Sequence, residues 1–334
     1  MQAANRKGSR TVPESPRRRA VPNRLAACTL QADNPVMRII CVGHTAFDRV
    51  FMVDRVASPP AKIAARAYFE LGGGMAANAA VAITRLGATA EFWGPAGDDA
   101  IADAMAADFA RHAVDARYMH RVAARTSSHS VILVDAAGER LIVGLRGDVL
   151  RDEGAWLPFD RLHGADGLLA DVRWPHGSRL ALAAARKAGI PTILDGDTAE
   201  RETLRTLVAE VDFAVFSEPG FAAFDDGTPL RGLQEALRLG ARAAVVTRGE
   251  RGCEWLSTAA PEQLHHMPAF KTDAVDTTGA GDTFHGAFAV RIAEGAPLGD
   301  AIRFASAAAS LKVKRQGARS MPSRPEVLHL LGSS

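Results

Sequence analysis

The chain has 334 residues, 47% hydrophobic and 23% charged, with a formal net charge of +2. These values suit one large α/β domain or two smaller ones and exclude an intrinsically disordered protein. Three widely spaced cysteines, Cys28, Cys41 and Cys253, form neither a metal-ligand pattern nor a disulfide framework, and no apolar run approaches the roughly 20 residues of a membrane span. The cysteines read as thiols of a reducing compartment, so the expectation is a soluble cytoplasmic protein with no membrane or nucleic-acid partner. Residues 1–36 hold seven basic and two acidic side chains, which leaves 33 basic and 36 acidic residues beyond them. With Pro13, Pro16, Pro22 and Pro35 and no hydrophobic periodicity, this segment reads as a disordered basic arm. A solvated tail, or an upstream start codon with Met37 as the true beginning, is favoured over a targeting or nucleic-acid arm.

From Met37 the pattern is regular. Met37 to Gly43 is an apolar run closed by glycine, as in a buried strand. Asp48 to Tyr68 alternates weakly and suits half-exposed strands. Gly72-Gly73-Gly74 opens an Ala-rich helix, Met75 to Leu86; Ala90 to Trp93 follows as a strand and Ala100 to His112 as a helix. Ser127 to Val143, with the turn Asp135-Ala136-Ala137-Gly138, reads as a hairpin. After about residue 160, short strands (Gly167 to Val172, Pro191 to Leu194, Phe213 to Phe216, Ala243 to Thr247) alternate with helices (Ser178 to Ala188, Glu200 to Ala209, Leu233 to Leu239). Gly281 to Glu294 and Leu298 to Lys312 close the chain as helices. Such alternation predicts a mostly parallel sheet covered by helices, with a small β element inserted at about 48–70 and 120–146.

The strongest chemical signal is Asp276-Thr277-Thr278-Gly279-Ala280-Gly281-Asp282-Thr283-Phe284, running into an apolar helix. Small residues at a helix start let a ligand approach amides that also carry the positive end of the helix dipole, a ready anion site. A carboxylate beside a bound phosphate would repel it, so Asp282 points to a second task, accepting a proton from an attacking hydroxyl. Gly72 to Ala77 fits the dinucleotide pattern Gly-x-Gly-x-x-Ala, and Glu91 lies about 20 residues on, as that pattern expects. This is the rival reading, a nicotinamide- or flavin-linked oxidoreductase. Arg66 and Glu70 in the preceding stretch weigh against a buried first strand there. No Gly-x-x-x-x-Gly-Lys loop is present, so phosphate handling must rest on residues 279–282 and on metal.

The nine-residue string resembles the C-terminal signature of the ribokinase (PfkB) sugar kinases, and the resemblance covers nearly all of residues 37–325. It implies a ribokinase-like three-layer α/β sandwich over 37–330, with a β lid that often pairs two copies into a homodimer. It also implies transfer of the γ-phosphate of ATP to a sugar, with Mg²⁺ and possible activation by K⁺. Carried over by motif, Asp282 is the catalytic base and the amides of Gly279, Ala280 and Gly281 form the anion hole. Asp48, Gly73, Gly74 and Asn78 bind sugar hydroxyls, and Thr247, Gly249, Gly252 and Thr278 belong to the nucleotide side. The family's Asn-x-x-Glu magnesium box is replaced by Ser217-Glu218-Pro219-Gly220. That leaves Glu218, Asp195 and Asp197 as candidate metal contacts and raises a further rival, a non-catalytic sugar-binding regulator.

Within the family, Ala170 to Trp174, Leu194 to Asp197, Phe216 to Gly220 and Phe284-His285-Gly286-Ala287 look most like the 6-deoxy-6-sulfofructose kinases. That branch phosphorylates O1 of a ketose with a sulfonate at C6. The resemblance assigns Lys62 and Arg173 to the sulfonate, and a guanidinium suits such an oxyanion. The branch's third contact, an Asn, stands as Gly144, with Arg146 two residues on as a compensating cation. The alternatives are ribose, fructose, fructose 6-phosphate and nucleosides.

Overall fold

The apolar runs become the strands of one large sheet. The computed structural model describes residues 36–56, 62–137 and 139–333. Apart from Val36, the expected basic arm lies outside the described residues. In chain order the elements are β1 (Arg38–Val42), β2 (Ala46–Val53), β3 (Ala65–Gly73), α1 (Met75–Arg85), β4 (Thr89–Gly97), α2 (Ala100–Arg111), β5 (Asp115–Val122), β6 (His129–Val134) and β7 (Arg140–Leu145). They continue with β8 (Gly167–Asp171), α3 (Pro175–Lys187), β9 (Thr192–Gly196), α4 (Arg201–Val208), β10 (Phe213–Ser217), α5 (Glu218–Phe224), α6 (Pro229–Leu239) and β11 (Ala243–Thr247). The last are β12 (Cys253–Ser257), β13 (Ala260–Met267), α7 (Ala280–Ala293), α8 (Leu298–Lys312) and α9 (Arg324–Gly332).

The nine-stranded sheet runs β13-β12-β11-β10-β9-β8-β1-β4-β5. From β11 to β5 every neighbouring pair is parallel, and β12 and β13 are added antiparallel at one edge. Alternate side chains of a strand face opposite ways, so both faces need cover. Cys41, Leu169, Ile193, Val215 and Val245 point into a core shared with α1, α2, α7, α8 and α9. Ile40, Leu168, Leu194, Phe216 and Val246 point into a second core closed by α3, α4, α5 and α6. The result is the three-layer α/β sandwich.

The inserted β element is a separate sheet of four strands, ordered β3-β2-β6-β7. Its second segment is narrower than expected: residues 120–122 belong to β5 of the large sheet, and the lid strands resume at His129. β3 is an exposed edge strand, antiparallel to β2. That overturns the dinucleotide reading of Gly72 to Ala77, which needs a buried parallel strand before the glycines. Five elements were not anticipated: α5, α9, β5, β12 and β13. In α5 the Pro219-Gly220 pair resembles a chain breaker, yet Pro219 sits in the first turn, where its missing N–H costs nothing.

Candidate active site

In open α/β sheets, ligands bind beyond the carboxyl ends of the parallel strands, where the strand order reverses. Here that is the end of β1, flanked by β4 and β8. The loop after β1 carries His44 and Thr45, β8 ends in Asp171, and β9 carries Asp195. Asp171 is fully buried and accepts from the amides of His44 (2.8 Å), Ala76 (3.0 Å) and Arg173 (2.8 Å). Since α1 has no side-chain cap of its own at Gly74, Asp171 acts as the cap from a neighbouring strand and ties three segments together.

The signature turn starts α7. Gly279 takes the left-handed conformation (φ 78°), and a Cβ there would lie 2.5 Å from the carbonyl oxygen of Ala318, so only glycine fits. The Ala280 amide is bonded to the Thr277 carbonyl (3.1 Å). That corrects the expectation of three free amides, and leaves those of Gly279 and Gly281 for an anion. Thr278 lies with the lid rather than with a nucleotide: Arg140 of β7 donates to its hydroxyl (2.9 Å) and to Asp276 (3.3 Å).

One turn into α7, the Asp282 carboxylate accepts from Nδ2 of Asn78 on α1 (2.7 Å). Burial, followed by the charge of Asp195, pushes its pKa up to about 7. The other end of Asn78 accepts from Nε of Arg319 (3.0 Å), which fixes the orientation of the amide. Arg319 is itself buried, donates to the Gly73 carbonyl (3.2 Å), pairs with buried Asp108 and lies over the ring of Phe109. Asp48 on β2 accepts from the Ser130 hydroxyl of β6 (2.6 Å), and any side chain at Gly73 would meet its carboxylate. Asp282, Asn78, Gly73 and Asp48 are thus brought together from four elements.

The floor of this site is polar and buried. His285 on α7 holds both ring nitrogens against backbone carbonyls, Nδ1 to Gly281 (2.7 Å) and Nε2 to Val215 (3.1 Å), with Asp195 Oδ2 3.4 Å from Nδ1. Burial, reinforced by Asp171, raises Asp195 well above the usual carboxylate range. His44 Nε2, Thr45 Oγ1 and Asp195 Oδ2 are buried with no hydrogen-bond partner among the described residues. Such atoms suit a polar ligand rich in hydroxyls. Burial, chiefly, also lowers His44 to a pKa of about 4.

On the other side of the turn opens a cavity of about 930 Å³, lined by Thr247, Gly249, Gly252, Ala280, Gly281 and Phe284 among others. The expected nucleotide turn and the signature turn therefore share one wall, and the volume suits a large organic ligand.

Two of the three metal candidates are engaged in close hydrogen bonds, and the third is buried. Arg248 (2.7 Å) and Arg251 (2.6 Å) hold Glu218, Arg173 (2.6 Å) and Ser217 (2.8 Å) hold Asp197, and Asp195 faces His285. No cluster of three or more potential ligands occurs among the described residues. This donor set does not fit a protein-held Mg²⁺, an ion that keeps waters and binds through nucleotide phosphates. Of the expected sulfonate contacts, Lys62 is exposed, while Arg173 pairs with Asp197 and also donates to the Thr198 carbonyl (3.1 Å). Arg146 reaches the backbone carbonyl of Arg173 (3.1 Å), and Gly144 sits on β7 with no neighbour against it. Sequence reasoning missed Arg319, Asp108, Asp171 and Arg140. Asp171 stands in the string Ala170 to Trp174 but was given no role there, the other three stand in no motif, and each acts across more than 90 residues of chain.

Residues 37–324 match the pfkB family carbohydrate kinase domain. The ribokinase of Bacillus subtilis is 33% identical over 300 residues, covering 88% of this chain and 100% of that protein. The structure of Arabidopsis thaliana ribokinase complexed with ribose and ATP is similar with a TM-score of 0.77 at 26% identity, covering 90% of this chain and 100% of that one. Thermotoga maritima ribokinase gives 0.76 at 26% identity over 89% and 99%.

Proposed function

The chain belongs to the pfkB family of carbohydrate kinases, and we propose that it moves the γ-phosphoryl group of ATP onto a sugar hydroxyl with Asp282 as the base. The observation that carries this reading is one turn of α7, which touches both sides of the chemistry. Ala280 and Gly281 line the large cavity, and the next residue, Asp282, is bonded to Asn78 on the sugar side. In the reaction, the sugar hydroxyl gives its proton to the Asp282 carboxylate as its oxygen attacks the γ-phosphorus. The bond to the β-phosphate oxygen breaks and ADP leaves. The amides of Gly279 and Gly281, at the positive end of α7, stabilise charge on the transferring group. Asn78, oriented by Arg319, keeps Asp282 aimed, and Asp48 with the backbone of Gly73 and Gly74 holds further hydroxyls. The lid excludes water that would hydrolyse ATP, and pairing of two copies through it gives a homodimer. Mg²⁺ would be carried by the nucleotide phosphates, since no carboxylate cluster among the described residues fits it.

For the substrate, we favour a ketose with an anionic group remote from the reacting hydroxyl, such as 6-deoxy-6-sulfofructose. Arg146 and Arg173 both lie near His44, and Arg146 reaches the Arg173 carbonyl, which puts two guanidinium groups side by side, although Asp171 acts on His44 more strongly than either. Ribose is the second reading. It is supported by the ribokinase relatives and by the Arg173–Asp197 pair, which already neutralises one of the two cations. A coupled ADP assay with sulfofructose, fructose, fructose 6-phosphate and ribose separates them. The anionic reading expects sulfofructose to exceed fructose by at least about tenfold in kcat/KM, the worth of one charged contact. Equal values for the two, or ribose ahead of both, would replace it with the ribose reading.

A further inference from the structure

The signature turn rests on a buried cation that the chain supplies itself. Lys312 ends α8 with its side chain fully buried, and its ammonium donates to the backbone carbonyls of Asp276 (3.0 Å) and Arg315 (3.2 Å). These carbonyls belong to the two segments that meet under the anion-binding turn. The amides of Val275 and Asp276 bond to the Val313 carbonyl (2.7 and 3.0 Å), and Gly317 donates to Asp276 Oδ2 (2.8 Å). The carboxylate of Asp276 is held ionised by bonds from Thr278, Gly317 and Arg140. The groups facing the ammonium are thus two carbonyl oxygens, the Asp276 and Asp282 charges and, opposing them, Arg140.

Burying an isolated ammonium is costly unless oxygen acceptors and negative charge surround it, as they do here. A convergent set of carbonyl oxygens beside a carboxylate is also what a hard monovalent cation requires. An ammonium and K⁺ carry the same charge, and both accept oxygen neighbours at close to 3 Å, the distance of the Asp276 contact. A K⁺ therefore does not fit at this place, because Lys312 already meets both carbonyls. We propose that Lys312 is a built-in replacement for a monovalent cation, fixing the signature turn and making phosphoryl transfer independent of K⁺. Its kinetic part rests on the kinase reading; its structural part does not.

The test has two readouts, each made in chloride salts of K⁺, Na⁺ and tetramethylammonium at constant ionic strength. The wild-type protein is expected to show the same melting temperature and, with ATP and its best sugar, rates within about twofold in all three salts. Specific, saturable stabilisation or activation by K⁺ would overturn the proposal, and the melting arm holds even if no sugar is turned over. Lys312→Met removes the charge while filling most of the space. It is expected to lose about tenfold or more in kcat/KM in tetramethylammonium and to gain K⁺-dependent stability and activity. Wild-type rates for Lys312→Met without K⁺, or a folded but inactive variant that no cation affects, would equally overturn it. If Lys312→Met folds in none of the salts, Lys312→Gln is measured in the same way. Should that also fail to fold, the wild-type comparison alone decides.

Discussion

On the proposed mechanism Asp282 must be ionised to take a proton, yet burial and the neighbouring Asp195 raise its pKa to about 7. A carboxylate is a base only above its pKa, so activity should be lost as pH falls through that value. We expect kcat/KM to rise tenfold per pH unit below about pH 7 and to level off above it. A flat profile from about pH 5.5 to 8 would mean that Asp282 does not titrate in the reaction. Arg319 carries a structural prediction. Its guanidinium pairs with buried Asp108 and orients Asn78; Arg319→Ala leaves Asp108 to Arg111 and strips Asn78 of a donor, and should cost about 1–3 kcal/mol in urea unfolding. A loss under about 1 kcal/mol would show that the pair matters little to folding. Asp282 was singled out from its glycine-rich turn, whereas Asp48, Gly73 and Asn78 were named through the family resemblance, and the fold brings the four together. Arg319 and Lys312 were not legible, since a lone cation beyond a motif looks like any surface residue until the fold buries it.

At the scale of elements, the parallel strands other than β5 and the helices from α1 to α8 other than α5 were readable from periodicity, to within a few residues at their ends. β12 and β13 were not. Their alternation is blurred by Glu254, Glu262, His265 and His266, and β13 is a largely exposed edge strand that needs no apolar face. Nor could periodicity show that Asp171, at the end of a fully buried strand, caps a helix almost 100 residues earlier. We expect Asp171→Ala to cost about 2–3 kcal/mol, because three amides lose a charged acceptor. The loop after β1 and the start of α1 would loosen together, so KM for the sugar should rise more than KM for ATP. Equal changes in both would indicate a general loss of structure instead.

The described part of the chain beyond residue 35 is a three-layer sandwich whose lid leaves apolar side chains in the open: Tyr68, Phe69 and Leu71 on β3, and Leu141, Ile142, Val143 and Leu145 on β7. Both strands are edges of the small sheet, and such edges are normally paired or covered. Sedimentation should show a dimer, and Ile142→Asp with Val143→Asp should give monomers with an intact fold. An unchanged dimer would place the interface elsewhere. The opening charge balance also looks different against the fold: the surplus of positive charge belongs to residues 1–36, and the remaining chain is slightly acidic. The central claim is that one turn of α7 joins a nucleotide cavity to a sugar base. It is tested most directly by following the label of γ-³²P-ATP onto a sugar panel with wild-type protein and Asp282→Asn. The account predicts labelled sugar phosphate from the wild type and at least about a hundredfold less from the variant, with ATP binding kept. Equal transfer by both proteins, or no transfer by the wild type to any sugar, would contradict it.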